Sequence, residues 1–177
     1  MLEAHQVRQE ILTFLNEQGV PYEYHEHPRA HTIEDCLAMP FITGDVTICK
    51  NIFLCNRQQT SFYLLLLKPL TPFRTSVVSK ALGSSRLSFA PEDALTGLLH
   101  LTSGSVSPLG LYYDRKHTIV LAAEQAVLDT PRIAFHPCDN SATVIFTQDV
   151  FWQKVIPALG ISPIFLSLGE NPLQGSV

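Results

Sequence analysis

The stretch ICKNIFLCNRQQTSFYLLLL, residues 48–67, decides the fold of this chain. It holds two apolar runs, Ile48–Cys55 and Ser61–Leu67, which flank the polar residues 56–60. Apolar runs of strand length that are joined by a short polar connection are typical of a β-hairpin. We therefore predict two paired strands here, and the remaining elements are placed around them.

Helical and extended segments surround this hairpin. Val7, Ile11 and Leu15 recur every four residues and predict an amphipathic first helix, which Gly19 ends. The pattern Thr32-x-x-Asp35 resembles a capping box and predicts a short second helix. Further strands are predicted at residues 21–27, 86–89, 118–122, 132–135 and 143–146, and further helices at 73–82, from Pro91, and from Thr147 to Leu159.

These alternating elements predict one α/β domain with a mixed β-sheet and flanking helices. The chain has 177 residues, of which 46% are hydrophobic and 16% charged, which excludes a disordered protein and fits a single domain. We place the domain at residues 1–160. Residues 161–177 are rich in Pro and Gly and are expected to form a partly ordered C-terminal tail.

Composition also bounds the location and the cofactors. The N-terminus lacks the basic start and apolar run of a signal peptide, and the longest strongly apolar run, Phe62–Leu67, is too short to span a bilayer. The four cysteines form no Cys-x-x-Cys pair, so reduced thiols and a cytoplasmic location are expected. His25 and His27 share a strand face, but no third ligand completes a metal site, and no metal is predicted.

Charge is distributed unevenly along the chain. No acid lies between Asp45 and Glu92, whereas six basic residues do; since the net charge is −4, the rest of the chain carries −10. One interpretation is a set of scattered, solvated surface charges. The other is a basic face that holds phosphates. Charge alone does not separate the two.

Three further segments are candidates for chemistry. Lys50 interrupts an apolar run, where it is either an outward-facing edge residue or an ammonium presented in a cleft. The loop 104–108, Gly-Ser-Val-Ser-Pro, has the composition of an ordinary turn and also of a backbone N–H nest for an anion. His136 follows a predicted strand, where it is either bonded to nearby backbone or part of a site. No Gly-x-Ser-x-Gly elbow is present.

The order and spacing of four motifs resemble a known family. The motifs are Lys50–Leu54, Arg86–Ala90, Gly104–Pro108, and His136–Pro137 with Asn140–Thr143. Together they resemble the YbaK-like superfamily of the prolyl-tRNA synthetase editing domain, and within it most closely the free-standing Ala-tRNA(Pro) deacylases. The resemblance implies a trans-editing hydrolase that cleaves the aminoacyl ester at the tRNA 3′ end without metal or cofactor. Its substrate would be aminoacyl-tRNA(Pro).

The resemblance also implies roles for individual residues. Lys50, Asn51 and His136 would be catalytic, with Lys50 holding the terminal nucleotide. Substrate would be bound by Thr32, Ile33, Gly104, Ser105, Val106, Ser107 and Pro108. From charge, we expect Lys80 and Arg86 to contact the tRNA.

Several alternatives stay open at this point. One is a deacylase for another small amino acid, Cys or Ser, on tRNA; another is a non-catalytic tRNA-binding module of the same fold. Many relatives have His-Thr where this chain has Ile48-Cys49, which bears on amino-acid specificity. We expect a monomer, with prolyl-tRNA synthetase or an elongation factor as the candidate protein partners.

Overall fold

The computed structural model describes residues 2–168, which form two mixed sheets with short helices around them. The strands are β1 (Glu23–Glu26), β2 (Val46–Ile48), β3 (Lys50–Asn56), β4 (Phe62–Leu67), β5 (Leu87–Phe89), β6 (Ile119–Glu124), β7 (Arg132–Phe135), β8 (Ala142–Thr147) and β9 (Ile164–Leu166). The helices are α1 (Ala4–Glu17), α2 (Ile33–Leu37), α3 (Thr75–Ala81), α4 (Glu92–Leu99), α5 (Gln148–Val150) and α6 (Ile156–Ala158). Two 3₁₀ helices cover Pro108–Tyr113 and Gln125–Leu128.

The predicted hairpin is confirmed. Strands β3 and β4 pair antiparallel with Lys50 opposite Leu67 and Cys55 opposite Phe62. Because side chains alternate between the two faces of a strand, Asn51 and Phe53 lie on the opposite face from Ile52 and Leu54. Phe53 belongs to the main apolar core, whereas Ile52 and Leu54 belong to a smaller core beside α3. The hairpin is therefore covered on both faces.

The α/β class with mixed strand pairing is confirmed, and the strands divide between two sheets. One sheet has the order β1-β8-β7-β2, and the other has the order β5-β3-β4-β6-β9. Each sheet combines parallel and antiparallel neighbours. The chain passes from the first sheet to the second between β2 and β3, at the buried residue Cys49.

This junction determines where a site can form. Strands β2 and β7 run parallel, with Ile48 opposite Ala134. Two residues further along, β2 has become the start of β3 at Lys50, and β7 has just ended before His136. Two residues that lie 86 positions apart in the sequence are thus brought to the same end of the sheet. Residues at the carboxyl ends of parallel strands commonly form binding sites in α/β folds.

Helix α1 forms as its apolar period predicts. Val7, Ile11 and Leu15 are fully buried in the main core. Burial of an aliphatic side chain of this size stabilises the fold by about 1.5–3 kcal/mol relative to exposure. The helix ends where expected, since Gly19 has a φ of +65°, which favours glycine.

The C-terminal segment contributes a strand to the second sheet. Residues 161–177 were expected to be a partly ordered tail, and within them β9 pairs parallel with β6, with Ala122 opposite Ile164. Residues 169–177 of that predicted tail lie outside the described residues. The predicted last helix is present as α5, a π-helical turn at Phe151–Val155 and α6.

Within residues 2–168, no helix combines the length and the apolar character that crossing a membrane requires.

Candidate active site

A cleft of about 160 Å³ opens at the junction of the two sheets. It brings together residues from four separate parts of the sequence. The lining residues are Ala30, His31, Thr32, Ile33, Cys36, Ile48, Cys49, Lys50, Asn51, Gly104, Val106, Phe135 and His136. Seven of the residues predicted for the site, namely Thr32, Ile33, Lys50, Asn51, Gly104, Val106 and His136, therefore share one cavity.

Lys50 is half-buried at the start of β3, and its ammonium is oriented by a turn of the chain. The Lys50 Nζ donates a hydrogen bond to the carbonyl oxygen of Thr71. That turn is held in place by Glu124, whose carboxylate accepts hydrogen bonds from the Thr71 hydroxyl at 2.9 Å and the Lys68 N–H at 3.0 Å. Lys50 is half-buried and lines the cleft, so it is not an outward-facing edge residue. The binding of substrate by its ammonium stays a prediction.

Asn51 joins β3 to the loop 104–108. Its Nδ2 donates a hydrogen bond to the carbonyl oxygen of Val106 at 2.9 Å. Its Oδ1 is buried and, within residues 2–168, accepts no hydrogen bond. A buried acceptor without a partner is costly in a folded protein, so it is a natural contact for a donor on a bound ligand.

The loop 104–108 offers backbone donors to the cleft. Gly104 has a φ of +84°, a conformation that other residues adopt only with strain. The Ser105 N–H donates to the carbonyl oxygen of Thr102, so it is already used. The N–H groups of Gly104 and Val106 donate no hydrogen bond to any of the residues 2–168. These two, which also line the cleft, are its candidate anion donors.

The other predicted loop residues have structural roles and do not line the cleft. The Ser105 hydroxyl donates to the Thr102 carbonyl oxygen at 2.9 Å. Ser107 is fully buried and caps the following 3₁₀ helix by accepting from the Leu109 N–H. Pro108 is the first residue of that helix. Their part in substrate binding stays a prediction.

His136 is buried, and both of its ring nitrogens have partners. Nδ1 lies 2.8 Å from the carbonyl oxygen of Ala142, and Nε2 lies 3.6 Å from the Cys36 Sγ. Burial lowers the pKa of His136 and raises the pKa of Cys36 to about 11. The imidazole is therefore neutral, with Nδ1–H donating to Ala142 and the Cys36 thiol donating to Nε2. This arrangement forms a wall of the cleft and leaves no ring nitrogen available as a base.

The two cysteines of the cleft are not activated. Burial raises the pKa of Cys49 as it does that of Cys36. Only the thiolate of cysteine is a strong nucleophile, and these groups are thiols at neutral pH.

Thr32 and Ile33 reach the cleft at the start of α2, through the predicted capping box. The Thr32 hydroxyl accepts the Asp35 N–H at 3.1 Å, and the Asp35 carboxylate accepts the N–H groups of His31 and Thr32. These two backbone hydrogen bonds lower the pKa of Asp35. The Thr32 side chain is thus used for capping, whereas Ile33 supplies apolar surface to the cleft.

A buried polar cluster, which the sequence reasoning missed, lies in the loop that follows His136. Arg8 of α1 lies 3.4 Å from the Asp139 carboxylate, and both side chains are at most 10% exposed. Next to Asp139, Asn140 donates to the carbonyl oxygen of Ala30 at 2.9 Å. It thereby ties the segment before α2 to the loop after β7. No local sequence pattern joins α1 to residue 139.

Lys80 and Arg86 are exposed and do not line the cleft. Lys80 lies in the last turn of α3, and Arg86 immediately precedes β5. His25 and His27 are also outside it. His25 stacks on Phe41 with ring centroids 4.1 Å apart, and His27 lies 2.9 Å from the Thr143 hydroxyl.

Comparison with known proteins identifies the family. The model of the aminoacyl-tRNA editing domain matches residues 27–151, most of the chain and all of the cleft. The chain belongs to this family. The predicted resemblance and the predicted enzyme class, an aminoacyl-tRNA deacylase, are confirmed.

Two named relatives are similar to this chain over most of its length. The chain is 31% identical over 153 residues to the prolyl-tRNA editing protein ProX of Acetoanaerobium sticklandii, covering 86% of this chain and 92% of the relative. It is 30% identical over 166 residues to prolyl-tRNA synthetase associated domain-containing protein 1 of Xenopus laevis, covering 92% and 98%.

The fold also matches a solved structure. A crystal structure provisionally described as a trans-editing enzyme for prolyl tRNA synthetase superposes with a TM-score of 0.70 at 16% identity. The match covers 96% of this chain and 100% of that one. At this identity, the likeness concerns the fold.

Proposed function

We propose that this protein deacylates Ala-tRNA(Pro) in trans, by hydrolysis of the ester between alanine and the 3′ end of the tRNA. The observation that carries the proposal is the convergence of Lys50, Asn51, two loop residues (Gly104 and Val106) and the His136 wall on one cleft. The similarity to a protein named for prolyl-tRNA editing supports tRNA(Pro) as the carrier.

In the proposed complex, hydrogen-bond donors hold the nucleotide end and the ester of the substrate. The Lys50 ammonium has one hydrogen bond to Thr71 and keeps two further N–H groups for a phosphate or ester oxygen. The N–H groups of Gly104 and Val106 face a developing oxyanion on the ester carbonyl. Donors that are fixed before the reaction stabilise such a charge without reorganisation.

The neutral groups of the cleft position the rest of the ester. The Asn51 Oδ1 accepts a hydrogen bond from the ribose hydroxyl or the alanine ammonium, which gives this buried oxygen its missing partner. Since Cys36 and Cys49 are protonated thiols and His136 is fully bonded, we assign no covalent intermediate to the protein. Water is the attacking group: its oxygen bonds to the ester carbonyl carbon, the bond to the ribose oxygen breaks, and that oxygen takes up a proton. The neighbouring ribose hydroxyl helps to position the water, and correct placement beside an activated ester supplies the acceleration.

Selection of alanine rests on the apolar part of the cleft. Ile33, Ile48 and Phe135 line the cleft together with Cys36 and His136. A packed apolar wall rejects proline by overlap, whereas it discriminates weakly against amino acids of similar size. Cysteine and serine are therefore the competing substrates that the experiment has to separate.

The proposal also covers the carrier of the ester, the location of the protein and its partners. The substrate is aminoacyl-tRNA(Pro) in the cytoplasm, taken up by a monomer either free or in association with prolyl-tRNA synthetase or an elongation factor.

Hydrolysis of tRNA(Pro) charged with alanine, cysteine, serine or proline tests this proposal. We expect rapid loss of alanine and no loss of proline. Ile33→Ala, which enlarges the cavity, should raise the hydrolysis of esters of amino acids larger than alanine by about tenfold. Leu37→Ala, on the exposed part of the same helix, is the control and should leave the pattern unchanged. Faster hydrolysis of cysteine or serine than of alanine would overturn the alanine assignment but keep the deacylase.

A further inference from the structure

An exposed apolar surface lies on the α3 side of the second sheet. Leu70 is 79% exposed and Phe89 is 66% exposed, which is unusual for large apolar side chains. The ring of Phe89 contacts that of Phe73 edge-on, with centroids 5.3 Å apart. We call these three residues the aromatic ledge. Phe73 is partly buried against the smaller core and holds the exposed ring of Phe89 in place. Exposed apolar side chains that are fixed in this way mark an interaction surface.

Three basic side chains lie around the aromatic ledge, and the two nearby carboxylates already have partners. Glu124 accepts hydrogen bonds from Thr71 and Lys68, and Glu92 accepts them from Ser103. Arg74 follows Phe73 directly, Arg86 precedes β5, and Lys80 lies on α3, which packs against β5. Within residues 2–168, none of the three forms an ion pair. By contrast, Lys68 of the same basic segment is paired with Asp129 at 3.3 Å. Three basic side chains without ion-pair partners beside aromatic rings favour the binding of a polyanion that carries flat apolar groups.

The aromatic ledge adjoins the part of the cleft that Lys50 lines. Thr71, whose carbonyl oxygen accepts the Lys50 ammonium, lies between Leu70 and Phe73 in the sequence. Phe89 is opposite Leu54, four residues along β3 from Lys50, or about 13 Å at the usual rise of a strand. Leu54 and Lys50 point to the same face of β3 because they are separated by an even number of residues. Leu54 itself is buried beneath α3, so a chain that leaves the cleft beside Lys50 passes over the outer side of this region, where Phe73 and Phe89 lie, and not over β3.

We propose that the aromatic ledge binds the unpaired nucleotides that precede the terminal adenosine of the tRNA, by stacking their bases on Phe73 and Phe89. Arg74, Lys80 and Arg86 bind the accompanying phosphates. This inference rests on the proposed function, which places the terminal nucleotide at Lys50. Aromatic side chains and a cationic groove are the combination that single-stranded nucleic acids require, and stacking on a ring is tolerant of sequence.

Binding measurements with two RNAs test this inference. One is uncharged tRNA(Pro), and the other is the same RNA without its unpaired 3′ nucleotides. Phe89→Ala removes an exposed ring and so spares the core. It should weaken binding of the intact RNA by about tenfold and leave binding of the shortened RNA unchanged. Arg74→Ala should lower the slope of log K against log salt for the intact RNA by about 0.7.

The matched control is Phe165→Ala on β9, at the opposite edge of the same sheet. Phe165 is 39% exposed and contacts Trp152, so it is a second exposed ring outside the basic segment. The Phe165→Ala variant should bind both RNAs as tightly as the wild type does. Equal binding of the intact RNA by Phe89→Ala and the wild type would overturn the inference and indicate a different occupant, such as an acidic protein surface. Equal weakening for both RNAs would also overturn it.

A small ester separates this inference from the proposed function. Hydrolysis of 3′-alanyl-adenosine needs the cleft but has no preceding nucleotides. Phe89→Ala should hydrolyse it at the wild-type rate, and a loss with this substrate would overturn the aromatic ledge as a nucleotide site. If the wild type cleaves neither this ester nor Ala-tRNA(Pro), the proposed function fails, while the two-RNA comparison still decides whether the aromatic ledge binds RNA.

Discussion

Replacement of Arg8 by methionine is expected to destabilise the protein strongly, although Arg8 lies outside the cleft. Arg8 is 10% exposed and the Asp139 carboxylate is 6% exposed, so the substitution leaves a buried charge without its cation. Loss of one partner from a buried ion pair costs about 3–5 kcal/mol. Asp139 keeps two hydrogen bonds from Ser141, which favours the lower end, about 3 kcal/mol.

Thermal and urea unfolding measure this change. For a domain of this size, about 3 kcal/mol corresponds to a fall in Tm of about 6–12 °C. The double variant Arg8→Met with Asp139→Asn should recover part of the loss, because no uncompensated charge remains. Arg29→Met is the control, since Arg29 is exposed and substitutions at such positions usually change stability by less than about 0.5 kcal/mol. A change of that small size in Arg8→Met would refute the reasoning.

Two further predictions concern the wall and the loop of the cleft. Burial lowers the pKa of His136 in the folded chain. Below about pH 6.5 this ring is therefore protonated in the unfolded chain before it is protonated in the folded chain, so the free energy of unfolding falls as the pH falls. NMR titration should place the pKa of this ring below 6.5, and His136→Gln should flatten the pH dependence of unfolding; a pKa at or above 6.5 would contradict this. Gly104→Ala and Gly19→Ala both put alanine at a left-handed φ, of +84° and +65°, and each should lose about 1 kcal/mol of stability. Only Gly104→Ala should also lose deacylation by more than tenfold, and equal activity of the two variants would argue against loop donors.

Elements that depend on local pattern were predictable from the sequence. The hairpin follows from two apolar runs around residues 56–60, and the start of α2 follows from the Thr32 and Asp35 capping box. Gly19, predicted to end the first helix, has a positive φ. In each case, the residues that determine the structure are neighbours in the chain.

Features that depend on distant pairing were not predictable. The separation into two sheets at Cys49 depends on which strand pairs with β2 and which with β3, and periodicity is the same for both. Strand β9 consists of three residues, too few for a period, and it forms by pairing with β6. The orientation of Lys50 depends on Thr71 and Glu124, which its own segment does not reveal.

The candidate site was predicted in part for the same reason. Motif order indicated Lys50, Asn51 and His136, and the structure places all three in one cleft. The sequence did not indicate that the His136 ring is bonded at both nitrogens, since its partners, Cys36 and Ala142, belong to α2 and β8. Their effect on the ring is a tertiary property.

Single-turnover hydrolysis of Ala-tRNA(Pro) by the wild type and by Lys50→Ala tests the central claim most directly. Lys154→Ala, which removes an exposed lysine from the last helix, serves as the control. We expect the wild type and the control to release alanine rapidly, and Lys50→Ala to be slower by about 10²–10³-fold, the usual effect of removing one preorganised donor. A Lys50→Ala enzyme that releases alanine at the wild-type rate would contradict the placement of the ester beside this ammonium.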